Sequence, residues 1–294
     1  MLSVIIPANN EADYIGFCLD ALLSSIAPAP SAPGVASEGV EGGPVAAWAV
    51  EIVVVANACT DATVSVARER AAAAAAKGWR LAVLDIAEGG KLNALNVGDR
   101  KATGSIRVYV DADVIVSPGL LGQLCAALDR SDPAYASGRP TVPRHPNWFT
   151  RAYVRLWLRV PFMTECVPGC GVFAVNAAGR ARWGAFPDII SDDTFVRLSF
   201  APEERISVPA PYSFPMCDGF SKLVRVRRRQ NVGVEQVAQL YPELTRNDDK
   251  PRVGLGRAAR LAVSDPIGFI IYGVVSLAVR LPSRETPLAW TRGR

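Results

Sequence analysis

Four short apolar runs, "SVIIPA" (3–8), "EIVVVAN" (51–57), "RLAVLDI" (80–86) and "IRVYVDA" (106–112), are separated by segments of helical periodicity. Runs of this length suit strands, and a strand–helix–strand–helix order commits the strands to a parallel sheet with right-handed crossovers. The first three are apolar without alternation, as expected when helices cover both faces of a sheet. The expected fold is therefore α/β, a mostly parallel central sheet flanked by helices.

The helical segments between the runs can be placed from their caps and periodicity. Ile15, Cys18, Leu19, Leu22 and Ile26 share one face of a first helix. A second helix is expected over 60–78, with Thr60 as N-cap and Gly78 as C-cap. A short one follows in 89–104, and another begins with Ser117 as cap and Pro118 at the first helical position. The stretch 27–46 is rich in Pro, Gly, Ala and Ser. It reads as a flexible surface insertion, because the next strand must return to the same sheet. After residue 140 the alternation weakens into an amphipathic aromatic helix (146–162), a short strand after a glycine turn (169–175) and an acid-bearing helix start (189–200).

Composition excludes several classes. The chain has 294 residues, 50% of them hydrophobic, enough for one large core or two modest ones. The net charge is only +4, and no basic stripe with interleaved aromatics suggests nucleic acid. His145 is the sole histidine, so a His-based metal site or a Ser-His-Asp triad lacks material. The six cysteines are scattered, which reads as reduced thiols and a cytoplasmic setting. The first residues read as a strand and not as a signal peptide. The apolar stretch 267–279 falls short of the ~20 residues that span a bilayer. It reads either as a packing helix or as an interfacial element on the inner face of a membrane, with Arg257, Arg260 and Arg280 suited to anionic lipid.

Ligands of open parallel sheets bind beyond the carboxyl ends of the strands. Unusual polar residues stand at three such ends: Asn9, Asn10 and Glu11; Asn57, Thr60 and Asp61; Asp111 and Asp113. Carboxylates inside an apolar run are costly unless something offsets them. A hard divalent cation does so, since Mg²⁺ or Mn²⁺ takes one or two carboxylates plus substrate phosphate oxygens. For Asp-x-Asp alone, two solvated acids at a strand end is an equal reading.

The ordered set "SVIIPANNEADYI", "VVVANACTDAT", "GGKLNALNVG" and "VYVDADV" resembles the family 2 glycosyltransferases, inverting enzymes of the nucleotide-diphospho-sugar transferase (GT-A) fold. The resemblance covers residues 1–235 and leaves 236–294 as a C-terminal helical extension. It implies that Pro7, Asn10, Glu11, Asn57, Asp61, Lys91 and Asp111 bind the donor nucleotide, and that Asp113 with Asp111 holds Mg²⁺ or Mn²⁺. "PGCGVF" (168–173) resembles the acceptor-side strand start, which implies Gly169, Cys170 and Gly171 there. "SDDTFVRL" (191–198) resembles the motif of the catalytic base, with Asp193 at the base position and Asp192 before it. Arg228 and Arg229 are candidates for a diphosphate contact. The implied activity is metal-dependent transfer of a sugar from a nucleotide sugar to a hydroxyl acceptor, in polysaccharide or glycolipid synthesis.

Two departures matter. Ala56 stands where the family often has an Asp, which puts uridine recognition in question. The Q-x-x-R-W motif is absent: 224–233 has arginines and no Trp, so non-processive transfer is expected. The competing classes are a nucleotidyltransferase, whose glycine-rich loop after the first strand is replaced here by "PANNEADY", a phosphatase with Asp-x-Asp on its first strand, and a sugar-nucleotide-binding protein without turnover.

Overall fold

In the computed structural model the described residues are 1–26 and 48–281; the insertion expected at 27–46 lies outside them. In chain order the elements are β1 (Leu2–Ala8), α1 (Ile15–Leu23), β2 (Val50–Asn57), α2 (Thr63–Arg68), α3 (Ala71–Ala76), β3 (Arg80–Ile86), α4 (Lys91–Lys101), β4 (Ile106–Val110), β5 (Ile115–Val116) and α5 (Leu120–Leu128). They continue as β6 (Tyr135–Thr141), α6 (Trp148–Trp157), α7 (Pro161–Thr164), β7 (Val172–Asn176), α8 (Ala177–Arg180), α9 (Asp192–Leu198), β8 (Arg205–Ser213), α10 (Gly219–Leu240), α11 (Leu255–Ser264) and α12 (Pro266–Arg280). The chain forms two compact units. The first comprises Met1–Arg139, Gly169–Pro187 and Glu203–Tyr212; the second comprises Pro140–Pro168, Asp188–Pro202 and the chain from Ser213 onward.

The first unit is built on one sheet ordered β3-β2-β1-β4-β7-β6-β8-β5. The four apolar runs form its parallel block: β1 pairs with β2 and β4, and β2 with β3. Past β4 the sheet turns antiparallel through β7 and β6, so the α/β sheet is mixed. β1 and β2 are buried nearly throughout, as continuous apolar runs should be. β3 is only half-buried, because it is the edge strand with a neighbour on one side only. α4 lies close on β1 and β2: a Cβ at Gly98 would come 2.6 Å from Ile5 Cγ2, so only glycine fits that contact.

The helix expectations need three corrections. Ile26 lies past the end of α1 and is 69% exposed, so it does not share the buried face. The single helix expected over 60–78 is two, and Thr60 caps neither. The chain tightens at Arg70, whose N–H donates to Ala67 O, and the Arg70 guanidinium reaches back to Asp20 on α1. Finally, α5 starts at Leu120 with Gly119 as its N-cap residue, beyond Ser117 and Pro118.

Buried polar groups tie the first unit's elements together. Asp99 on α4 accepts from Tyr109 Oη at 2.8 Å and from Arg107 on β4 at 2.5 Å, and pairs with Arg180 of α8 through Nε at 2.6 Å. Glu51 on β2 accepts from Ser3 Oγ of β1 at 2.6 Å and from Thr103 N at 2.6 Å.

The second unit is helical. Tyr153 of α6, Leu223 and Val224 of α10, and Ile271 and Val275 of α12 share its core. Tyr153 and Tyr272 stack at 5.4 Å, and Arg227 donates to Tyr153 Oη at 2.6 Å. Burial, opposed by Arg227, pushes the Tyr153 hydroxyl up to about 12. The arginine-rich stretch 224–233 lies within α10, and position 235 falls inside that helix.

Candidate active site

At the carboxyl edge of the parallel strands, asparagines close the loops. Asn10 follows β1 with φ 52°, a left-handed conformation that asparagine tolerates better than most residues. Its Oδ1 accepts from Thr60 N at 2.7 Å, Thr60 Oγ1 at 3.2 Å and Asp61 N at 3.2 Å, joining the β1 and β2 loops. Asn57, at the end of β2, is buried; its Nδ2 donates to Ala8 O at 2.8 Å and its Oδ1 accepts from Gly90 N at 3.0 Å. One side chain thus fastens the ends of β1 and β2 to the start of α4. Asp61 accepts from Ala12 N at 3.1 Å and from Thr63 N at 3.0 Å. Glu11 is buried, and its backbone N–H donates to Thr63 Oγ1 at 2.7 Å. Pro7 lies on β1 opposite Val55 of β2.

The acids stand directly past β4. The Asp111 backbone N–H donates to Gly171 O at 2.9 Å, and the Asp111 carboxylate pairs with Lys91 Nζ at 2.9 Å. That carboxylate is 38% exposed. Val114 N donates to Asp111 O at 3.1 Å, closing a tight turn around Ala112 and Asp113. Gly171 has φ 75°, and a Cβ there would lie 3.1 Å from Val114 Cγ2 and 3.8 Å from Asp111 Oδ2. The glycine therefore keeps a side chain out of the space beside the carboxylate. Gly169 is similar, with φ 67° and Tyr135 Oη where a Cβ would stand. Between them, Cys170 O accepts from Tyr212 Oη at 2.7 Å.

Cys18 reports the local field. Its thiol is held far above its ordinary range, first by burial and then by the charges of Asp113, Asp111 and Glu11. The Cys18 thiol donates to Asp111 O at 3.8 Å, which places it at the end of β4. Among the described residues no three His, Cys, Asp or Glu side chains gather as a complete metal centre. Two carboxylate donors still fit a hard divalent ion whose other positions go to phosphate oxygens and water.

In the second unit, Asp192 and Asp193 occupy the first turn of α9. There the positive end of the helix dipole favours carboxylates. Asp192 is buried, whereas Asp193 is half-buried and accepts from Thr194 N at 2.7 Å. The preceding turn is pinned to α10: Ile190 N donates to Gln236 Oε1 at 2.9 Å, and a Cβ at Gly233 would collide with Ser191 Oγ. Arg197, one turn on, is buried between Asp249 at 2.6 Å and Asp248 at 3.1 Å, with its guanidinium 5.1 Å from the Phe162 ring. Arg228 donates to Ala278 O at 2.8 Å and Leu281 O at 3.1 Å, at the end of α12. Arg229 is half-buried on α10.

Sequence reading missed Cys18, Thr63, Tyr212 and Arg197 as parts of these sites. Thr63 had a local signal, since an Asp two residues before a Thr favours the side-chain-to-backbone turn seen here, and Arg197 lies within the quoted segment 191–198. Cys18 and Tyr212 act across long chain separations that no spacing reveals.

A family model described as Glycosyl transferase family 2 matches residues 3–167. Among solved structures, the mannosyltransferase PcManGT from Pyrobaculum calidifontis, in complex with GDP-Man and Mn2+, aligns with a TM-score of 0.56 and 22% identity. That alignment covers 96% of this chain and 76% of the other. TarS 1-349 from S. aureus, in complex with UDP, aligns with a TM-score of 0.50 and 16% identity, over 95% of this chain and 81% of the other. These identities establish likeness of fold. No curated protein matches the chain.

Proposed function

The chain belongs to glycosyl transferase family 2, and from that membership we propose a non-processive transfer of a hexose from a nucleoside-diphosphate sugar to an acceptor hydroxyl, with inversion at the anomeric carbon. The observation that carries the proposal is the Lys91–Asp111 ion pair past β4, beside the space that Gly171 leaves open. A cation and a carboxylate at one strand end suit a ligand with anionic oxygens and a ribose. Asp111 faces the ribose or the metal, Lys91 the phosphates, and Asp113 holds the divalent ion. When bound, Mg²⁺ or Mn²⁺ stabilises the charge that develops on the departing diphosphate.

The remaining donor residues divide by their partners. Asn10, Asn57 and Asp61 spend their side chains on the loops that shape the nucleotide floor, so they position more than they contact. Glu11 and Pro7 complete that floor. Ala56 is buried within β2, so base recognition does not run through a carboxylate at that position. Gly169, Cys170 and Gly171 line the acceptor side. Arg228 donates to carbonyls at the end of α12, and Arg229 is half-buried next to it on α10; both remain candidates for a diphosphate contact.

Asp193 is the proposed base, with Asp192 behind it. A carboxylate is ionised at neutral pH and takes the hydroxyl proton as the new carbon–oxygen bond forms and the bond to the diphosphate breaks. One displacement inverts the anomeric centre and needs no protein nucleophile.

The test is a turnover assay with UDP-, GDP-, dTDP- and ADP-sugars, the GDP-mannose arm prompted by the mannosyltransferase of like fold. The anomeric configuration of the product is read by NMR. Inverted product from one donor supports the proposal; a retained configuration, or release of a nucleoside monophosphate, contradicts it.

A further inference from the structure

Among the described residues, α11 and α12 leave an apolar face uncovered. On α12, Gly268, Ile271 and Val275 are buried, while Ile267, Ile270, Val274 and Leu277 are 57%, 64%, 47% and 62% exposed. Their spacing alternates between three and four residues, so they form one stripe along the helix. No charged residue interrupts α12 before Arg280, its last residue. α11 adds Leu255 and Val263, two turns apart and 91% and 85% exposed. Contiguous apolar surface of this kind marks an interaction site.

The charge carried by these helices and the residues before them is mostly basic. Between residues 250 and 281 the basic side chains are Lys250, Arg252, Arg257, Arg260 and Arg280, of which Arg257 pairs with Glu165, and the sole acid is Asp265. Asp265 is already engaged: Arg155 donates to it at 3.1 Å, which holds its carboxyl below the usual range. Among the described residues no helix is long and apolar enough to cross a membrane. A helix too short to span, whose outward face is apolar and whose neighbouring residues are basic, suits the plane of an interface.

We propose that α11 and α12 dock the chain on an anionic membrane surface, with the stripe at the acyl boundary and Arg252, Arg260 and Arg280 among the headgroups. The charge decides the occupant. A second copy on the same face would set these cations against themselves, whereas anionic lipid neutralises them. The sequence left two readings open for this segment, a packing helix or an interfacial one; one face of α12 packs in the core, and the proposal assigns the other to the interface.

Co-sedimentation of the full chain with vesicles tests the proposal, comparing pure phosphatidylcholine with equal parts phosphatidylcholine and phosphatidylglycerol. Binding is expected only to the mixed vesicles, weakening with added salt. Arg260→Glu should lower partitioning by at least ~fivefold, from about 1 kcal/mol for each basic residue near the surface. Ile270→Asp should lower it further, with unchanged circular dichroism, since that side chain packs mainly against solvent. Failure of the wild type to bind mixed vesicles overturns the proposal. So does a dimer in analytical ultracentrifugation that Ile270→Asp dissociates, because a second copy would then own the face. No donor is present in these experiments, so their failure leaves the transfer reading untouched.

Discussion

Asp111 serves the fold and, in the proposed reaction, the ligand as well. Its backbone holds β4 to the glycine turn, and its carboxylate is shared with Lys91. Gly171 makes the first possible without obstructing the second. Gly171→Ala forces a left-handed alanine, at about 1–2 kcal/mol, and pushes its methyl against Val114. Urea denaturation should show that loss, and calorimetry a weaker donor affinity. Asp193 makes a sharper demand. Asp193→Asn should leave donor binding nearly intact and lower turnover by ~10²–10⁴-fold, the range of general-base loss. Unimpaired turnover would remove Asp193 from the role. Residues of this kind were legible because an acid at a strand end or helix start is anomalous in its local sequence. Cys18 and Tyr212 were not, because an apolar-looking residue acquires its meaning only from what folds over it.

At the level of elements, two buried carboxylates join strands and helices that the chain keeps far apart. Burial pushes the Glu51 carboxyl up, but hydrogen bonds from Ser3 and Thr103, aided by Arg80, outweigh it and leave the group below its ordinary value. A carboxyl that is depressed in the folded state contributes stability above its unfolded value of ~4.3, lost as pH falls through the folded value. Stability should therefore drop in acid below about pH 4, and Glu51→Gln should flatten that drop while lowering stability at neutral pH. Asp99 is the second. Removing it by Asp99→Ala leaves Arg107 and Arg180 without their shared carboxylate, although Arg180 keeps the Trp183 and Gly184 carbonyls, and should cost about 3 kcal/mol, read as a lower urea midpoint. The parallel block was legible because each of its strands is a continuous apolar run bounded by turn residues. The antiparallel strands were less so. β6 contains Gly138, Arg139 and Pro140, and β8 carries prolines at 209 and 211; neither presents an apolar run, and the prolines disguise the alternation of buried Val208, Ala210 and Tyr212 in β8.

For the molecule as a whole, the sequence reading put the donor-side residues and Asp193 in one domain, 1–235, and α9, which carries Asp193, belongs to the second compact unit. The chain passes between the two units repeatedly, which is why a single linear boundary was not legible. The bare face of α12 was hidden for a related reason: a uniformly apolar helix gives no sign of which side will be covered. The account as a whole rests on a divalent ion held by Asp113 and Asp111 and carrying the donor diphosphate. The most direct measurement is isothermal titration of the active nucleotide sugar into wild type and Asp113→Asn, each with Mn²⁺ and with a chelator. The account predicts binding only for wild type with Mn²⁺, whereas equal binding by the variant, or by wild type in chelator, would contradict it.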